Sequence, residues 1–260
     1  MTLSVNTNTT ASSSARMLNI NHAQLQRSLT KLSTGKRINT PSDDAGGLAV
    51  SMKMSAAIRR NSAVQNNVSN AIAFLQTQDG AMETFGHILE RMSELKMLHQ
   101  DITKNATDKA NYDTEYTQLK AQLGNLIAET FNSVALFGAS PGAVAITEDG
   151  GQSVTLTAIT LAAPGAAGLG SLAVASITSR IATVATKRAI NGASSNRLQY
   201  ALDMLSINKV NLEAANGRIL DADIASESTE FAKLQILSQA NSAMLSQANL
   251  LPQAALRLIG

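Results

Sequence analysis

Residues 50–92 read VSMKMSAAIRRNSAVQNNVSNAIAFLQTQDGAMETFGHILERM. Within them Val50, Met54, Ala57, Asn61, Val64, Val68, Ala71, Leu75, Gln78, Met82, Phe85, Leu89 and Met92 recur in alternating steps of four and three. That alternation marks a coiled-coil seam, because an average step of 3.5 residues keeps one stripe of a helix turned toward one partner. At about 1.5 Å per residue the helix carrying it is expected to be about 80 Å long. Ordinary globular helices run three or four turns, so a pattern this long belongs to a coiled coil, a membrane span or a fibrous assembly. No stretch approaches the ~18 consecutive apolar residues that a membrane span needs, which leaves a bundled or fibrous fold.

Toward the N-terminus the same rhythm returns in Ala11, Ala15, Leu18, His22, Leu25, Leu29 and Leu32 and stops near Gly35. Gly35 suits a helix C-cap and Pro41 cannot continue a helix, so residues 33–44, with Arg37 and Asn39 among them, read as a connector. Ser42 is expected to cap the long helix, with Asp43 and Asp44 in its first turn, where the helix dipole favours negative charge.

Toward the C-terminus a third helix is expected over residues 111–130, with Tyr116, Leu119, Leu123 and Leu126 on one stripe, folded back antiparallel on the second. From Gly138 to Ser171 the composition turns to Gly, Ala, Thr and Pro, and residues 153–159 alternate with period two. A small β-hairpin is expected there, turning at Asp149-Gly150. The helical seam resumes at Ile177 and continues through Ile181, Val184, Arg188, Asn191, Ser195, Leu198, Leu202, Leu205, Lys209 and Leu212. Asn216-Gly217 is expected to interrupt it. A last helix shows Leu237, Ala240, Met244, Gln247, Leu251, Ala254 and Leu258 in register, and Pro252 is expected to kink or end it.

The expected fold is therefore mainly α. It is a long antiparallel helical bundle, coiled-coil-like, with a small β-hairpin insert at about 139–171 and paired N- and C-terminal helices. Residues 1–41 and 218–260 form one helical domain, and residues 42–217 form the bundle domain. The expected shape is a rod.

Composition narrows the function. A net charge of +2, with basic residues scattered among acids, does not make a nucleic-acid groove. With no cysteine there is no disulfide, thiolate metal site or thiol nucleophile. His87 and His99 lie twelve residues apart, outside metal-ligand spacing. The glycines of residues 165–170 lack a dinucleotide fingerprint, and no Ser, His and Asp set suggests a hydrolase. No catalytic residue, cofactor or metal is expected. The first sixteen residues lack the basic leader and apolar core of a secretory signal. The terminal helices are rich in Ser, Asn, Gln, Thr and Ala, which bury little apolar area, so they are expected to stay disordered alone and to fold against neighbouring copies. The assembly seam would be Leu18, Leu25, Leu29, Leu32, Leu237, Met244, Leu251 and Leu258. The rival reading from periodicity is an intracellular coiled-coil scaffold.

Residues 32–49, LSTGKRINTPSDDAGGLA, resemble the N-terminal signature of bacterial flagellin, the subunit of the flagellar filament. Residues 196–223 and 236–249 resemble its C-terminal half, so the likeness covers roughly 220 residues at the two ends. The resemblance implies an inner tube of paired terminal helices, an outer tube of long helices, and variable outer domains at the centre, here reduced to about thirty residues. It implies a homopolymer, export through the flagellar type III pathway, and an export chaperone, a filament cap and hook-filament junction proteins as partners. The junction protein of the same system is the nearest rival, and the long C-terminal match favours the filament subunit. The resemblance also implies two possible host immune-receptor contacts. One is on the bundle at Arg91, Leu95 and Gln118, where Gln118 stands in place of an acidic residue; the other is on residues 31–50.

Overall fold

The computed structural model describes residues 7–165 and 168–259, the side chains of 251–259 excepted. Five helices carry the chain: α1 (Thr9–Thr34), α2 (Ala45–His99), α3 (Ala106–Ile127), α4 (Val174–Leu220) and α5 (Ile224–Ile259). Two short hairpins interrupt them, β1 (Thr130–Phe131) with β2 (Val134–Ala135) and β3 (Gly142–Ala145) with β4 (Ser153–Leu156), each antiparallel. No described helix is long and apolar enough to cross a membrane.

The chain divides into two compact units, one of residues 1–55 with 212–260 and one of residues 56–211. In the second unit the α2 seam is the core. Val64, Val68, Leu75, Met82, Phe85, Leu89 and Met92 are buried with Tyr116 and Leu123 of α3 and Ile177, Val184, Leu198 and Leu205 of α4. Two seam positions are amides that reach backbone across the bundle. Asn191 Nδ2 donates to Leu75 O at 2.8 Å, and Gln78 Nε2 donates to Leu136 O. Such bonds tie a seam to one register, since a slip leaves the amide buried and unpaired.

The strand pair near the expected turn forms, with Gly150 at φ 73° and Gly151 N donating to Asp149 Oδ1 at 3.0 Å. Val154 and Leu156 point into the core while their neighbours face out. The return segment is fastened by the buried Lys96, whose Nζ donates to Leu169 O at 2.8 Å and Gly170 O at 3.0 Å, and by Asp113 Oδ1, which accepts from Leu169 N at 3.1 Å.

The structure departs from the sequence reading in several places. Helix α3 starts at Ala106, not 111, because Asn105 and Asp108 form a reciprocal capping box, and it ends at Ile127. The β1–β2 hairpin was not foreseen. Asn132 and Ser133 turn it with φ of 50° and 65°, the pair of left-handed residues a two-residue hairpin needs. Asn216-Gly217 does not interrupt α4. The helix runs to Leu220, and a Cβ on Gly217 would lie 2.8 Å from Asp221 Oδ2. Nor does Pro252 end α5, which continues to Ile259.

Candidate assembly surface

In the first unit α1 and α5 lie antiparallel in one register from end to end. At the base the backbones of Lys36 and Asp221 form an antiparallel β-bridge, in which Arg37 N donates to Leu220 O at 2.6 Å and Ala222 N donates to Gly35 O at 3.0 Å. Further along, Lys31 Nζ lies 3.8 Å from Glu227 Oε2, and His22 Nε2 and Ser238 Oγ are 3.5 Å apart. At the far end Asn8 Nδ2 donates to Ala248 O at 2.8 Å.

The connector is built to turn the chain tightly between α1 and α2. Gly35 takes φ 68°, the left-handed C-cap anticipated from its position. The guanidinium of Arg37 donates to Ile219 O from Nε at 3.3 Å and Nη2 at 2.9 Å, placing positive charge on the last carbonyls of α4. Asn39 Nδ2 donates to Lys36 O at 2.9 Å, and its Oδ1 accepts from Thr34 Oγ1 at 2.9 Å.

The capping role falls on a different residue from the one expected. Asp44, not Ser42, caps α2: its Oδ1 accepts from Gly47 N at 2.8 Å, while the Ser42 hydroxyl pairs with Thr40 Oγ1 at 2.8 Å. Asp43 lies outside the helix and closes the connector, accepting at Oδ2 from the amides of Thr40 (2.9 Å) and Asn39 (3.1 Å) and from Thr40 Oγ1 (3.0 Å). Those bonds, led by the Thr40 amide, hold its carboxyl below the usual range. Both acids accept hydrogen bonds from the backbone.

The terminal helices divide the expected assembly seam between an inward and an outward face. On α5 the face turned inward carries Phe231, Leu234, Ser238, Asn241, Leu245 and Ala248, with Leu234 and Ala248 buried. Leu237 and Met244 point out, at 39% and 60% exposure, beside Ile236 and Leu250. On α1, Leu18, Leu25 and Leu32 are partly buried, but Leu29 is 55% exposed and the fully buried residue is Ser28. Met17 and Ile20 are exposed as well. Small and polar side chains thus share the α1–α5 contact with leucines and Phe231, and much of the large apolar surface is left uncovered within one chain. Leu251 and Leu258 lie outside the described side chains.

The candidate receptor residues separate. Arg91 is exposed and paired, Nε to Glu115 Oε1 at 2.8 Å and Nη1 to Glu94 Oε2 at 2.9 Å, and Glu115 first and then Glu94 hold its charge more firmly. Gln118 is on the surface. Leu95 is fully buried, so it does not face a partner of the folded unit.

Comparison with known proteins agrees with this geometry. The bacterial flagellin N-terminal helical region matches residues 5–140 and the bacterial flagellin C-terminal helical region matches residues 174–259. The chain is 36% identical to a flagellin of Halalkalibacterium halodurans over 271 residues, covering 98% of this chain and 99% of the relative. It is 32% identical over 285 residues to the flagellar filament 30.7 kDa core protein of Treponema maltophilum, again covering 98% and 99%. The crystal structure of Bacillus cereus flagellin aligns over 59% of this chain and 88% of that one at 22% identity, with a TM-score of 0.34, too loose a superposition to add to the sequence match. Flagellins are structural proteins and not enzymes. Two matched regions in order, near-complete coverage of relatives and a helical fold with paired termini place this chain in the bacterial flagellin family, as a short form.

Proposed function

We propose that this chain polymerises through its terminal helices into the extracellular flagellar filament that drives swimming. The observation that carries this reading is the uncovered apolar surface of the paired termini: Leu29, Ile236, Leu237 and Met244 stand at 39–66% exposure on helices already joined through their other faces. A second copy laid against those faces removes apolar area from water, at about 25 cal/mol per Å². Laid head-to-tail, such contacts grow into an open filament when the rotation between copies does not close a ring.

In this reading residues 1–41 and 218–260 line an inner tube and residues 42–217 form the outer tube. The short insert at about 139–171 leaves the filament surface thin. The subunit leaves the cell unfolded through the flagellar type III pathway. An export chaperone, a filament cap and junction proteins are its expected partners. Recognition by a host receptor through the bundle has less support, since Leu95 is buried.

Electron microscopy of concentrated purified protein tests the proposal. The expected result is a tube of helically arranged subunits around a narrow channel. A closed dimer or trimer that stays unpolymerised at all concentrations would mean an ordinary coiled-coil scaffold instead.

A further inference from the structure

Pro252 has no amide N–H, so the carbonyl four residues back, that of Ala248, loses the bond an α-helix would give it. Helix α5 nevertheless runs on to Ile259. Ala248 is only 3% exposed, which leaves little room for water to replace the missing donor. The donor comes from the other end of the chain: Asn8 Nδ2 lies 2.8 Å from Ala248 O. The same carboxamide caps α1, its Oδ1 accepting from Ala11 N at 2.9 Å. A carboxamide is suited to this double task because it carries a donor and an acceptor on one planar group.

We propose that Asn8 is a register-setting latch that reads the backbone gap made by Pro252 and so fixes how α1 and α5 align. From Lys36 to Asn8 and from Asp221 to Ala248 the helices advance by nearly equal lengths, 28 and 27 residues, so the latch closes the end opposite the Lys36–Asp221 pair. One register satisfies it. A neighbouring carbonyl of α5 has its own helical donor and points about 100° away. The start of α1 and the passage of α5 through Pro252 thereby become conditions of each other. This goes beyond the assembly reading, since the contact is made within one chain.

The test is a double-mutant cycle in the full-length chain. Asn8→Ser keeps a capping oxygen but is too short to reach Ala248 and carries no amide donor. Pro252→Ala supplies the missing N–H and makes the latch redundant. Hydrogen exchange at the amides of residues 11–15 is followed in filaments, or in the free subunit if no filament forms. Absence of filaments counts against the assembly proposal alone. Asn8→Ser is expected to speed exchange roughly five-fold beside Pro252, the equivalent of one net hydrogen bond, and less than about two-fold beside Ala at 252. Asn8→Ala, which also removes the cap, is expected to speed exchange in both backgrounds. Equal effects of Asn8→Ser in the two backgrounds, no effect in either, or wild-type amides that are unprotected in every state would each overturn the latch.

Discussion

Single residues carry conflicts that the surrounding fold resolves or leaves standing. Tyr116 is 2% exposed in the core of the second unit, and its hydroxyl finds no hydrogen-bond partner among the described residues. Burial, the largest cause, pushes its pKa up. Removing that oxygen relieves an unsatisfied buried group without opening a large cavity. Tyr116→Phe is therefore expected to leave stability unchanged or raise it by up to about 1 kcal/mol in chemical denaturation; a loss larger than that would reveal a partner for the hydroxyl. Asp43 shows the opposite case, a carboxylate held by backbone amides. Its folded pKa lies below the ordinary 3.8, so its contribution is full above about pH 4 and is lost as pH falls through the folded value. The amides of Asn39 and Thr40 are expected to lose protection over that acid range in the wild type, while Asp43→Asn shows no such titration. At this scale Gly35 was legible, because a left-handed cap has a strong local preference. The choice between Ser42 and Asp44 was not, since both are good caps; Asp44 stands three residues before Gly47, whose amide it accepts and whose missing side chain leaves room for the carboxylate.

Elements with a strict period were read from sequence almost residue for residue. In α2 the seam from Val64 to Met92 is buried because one stripe meets one set of partners. Helix α5 misled for a physical reason. Its apolar stripe and its intramolecular stripe are different faces, and hydrophobic periodicity reports the greasier one. On the inner face Ser238, Asn241 and Ala248 interrupt Phe231, Leu234 and Leu245, which hides its period. This separates two kinds of substitution. Leu234→Ala, at a side chain only 4% exposed, is expected to destabilise the α1–α5 pair by about 2–4 kcal/mol. Leu237→Gln with Met244→Gln is expected to leave that pair intact within one chain and to raise the critical concentration for polymerisation at least ten-fold, as measured by sedimentation. Should the second pair of changes leave polymerisation untouched, the exposed face is not the contact. The β1–β2 hairpin escaped for another reason: two-residue strands carry no period, and only Asn132-Ser133 marked a turn.

For the whole molecule the question is which parts fold before others arrive. Residues 56–211 enclose a continuous apolar core, whereas α1 and α5 meet through a face that mixes Phe231, Leu234 and Leu245 with Ser28, Ser238, Asn241 and Ala248. The ends are expected to bury too little apolar surface to offset the entropy of ordering them alone. Circular dichroism is expected to give less helix in the dilute subunit than in the polymer, and protease is expected to trim the free chain back toward the bundle; equal helix content in both states would remove this driving force for assembly. The expectation of a self-sufficient bundle with dependent ends rests on composition. The contacts that align those ends were not, because Asn8 and Ala248 are separated by 240 positions. Their alignment has a geometric consequence for length variation. Adding one residue within α1 would swing everything beyond it through about 100° and carry Asn8 away from its acceptor, whereas seven added to each helix restore the facing within about 20°. Viable changes in the length of this pair should therefore come matched on both helices and in whole heptads.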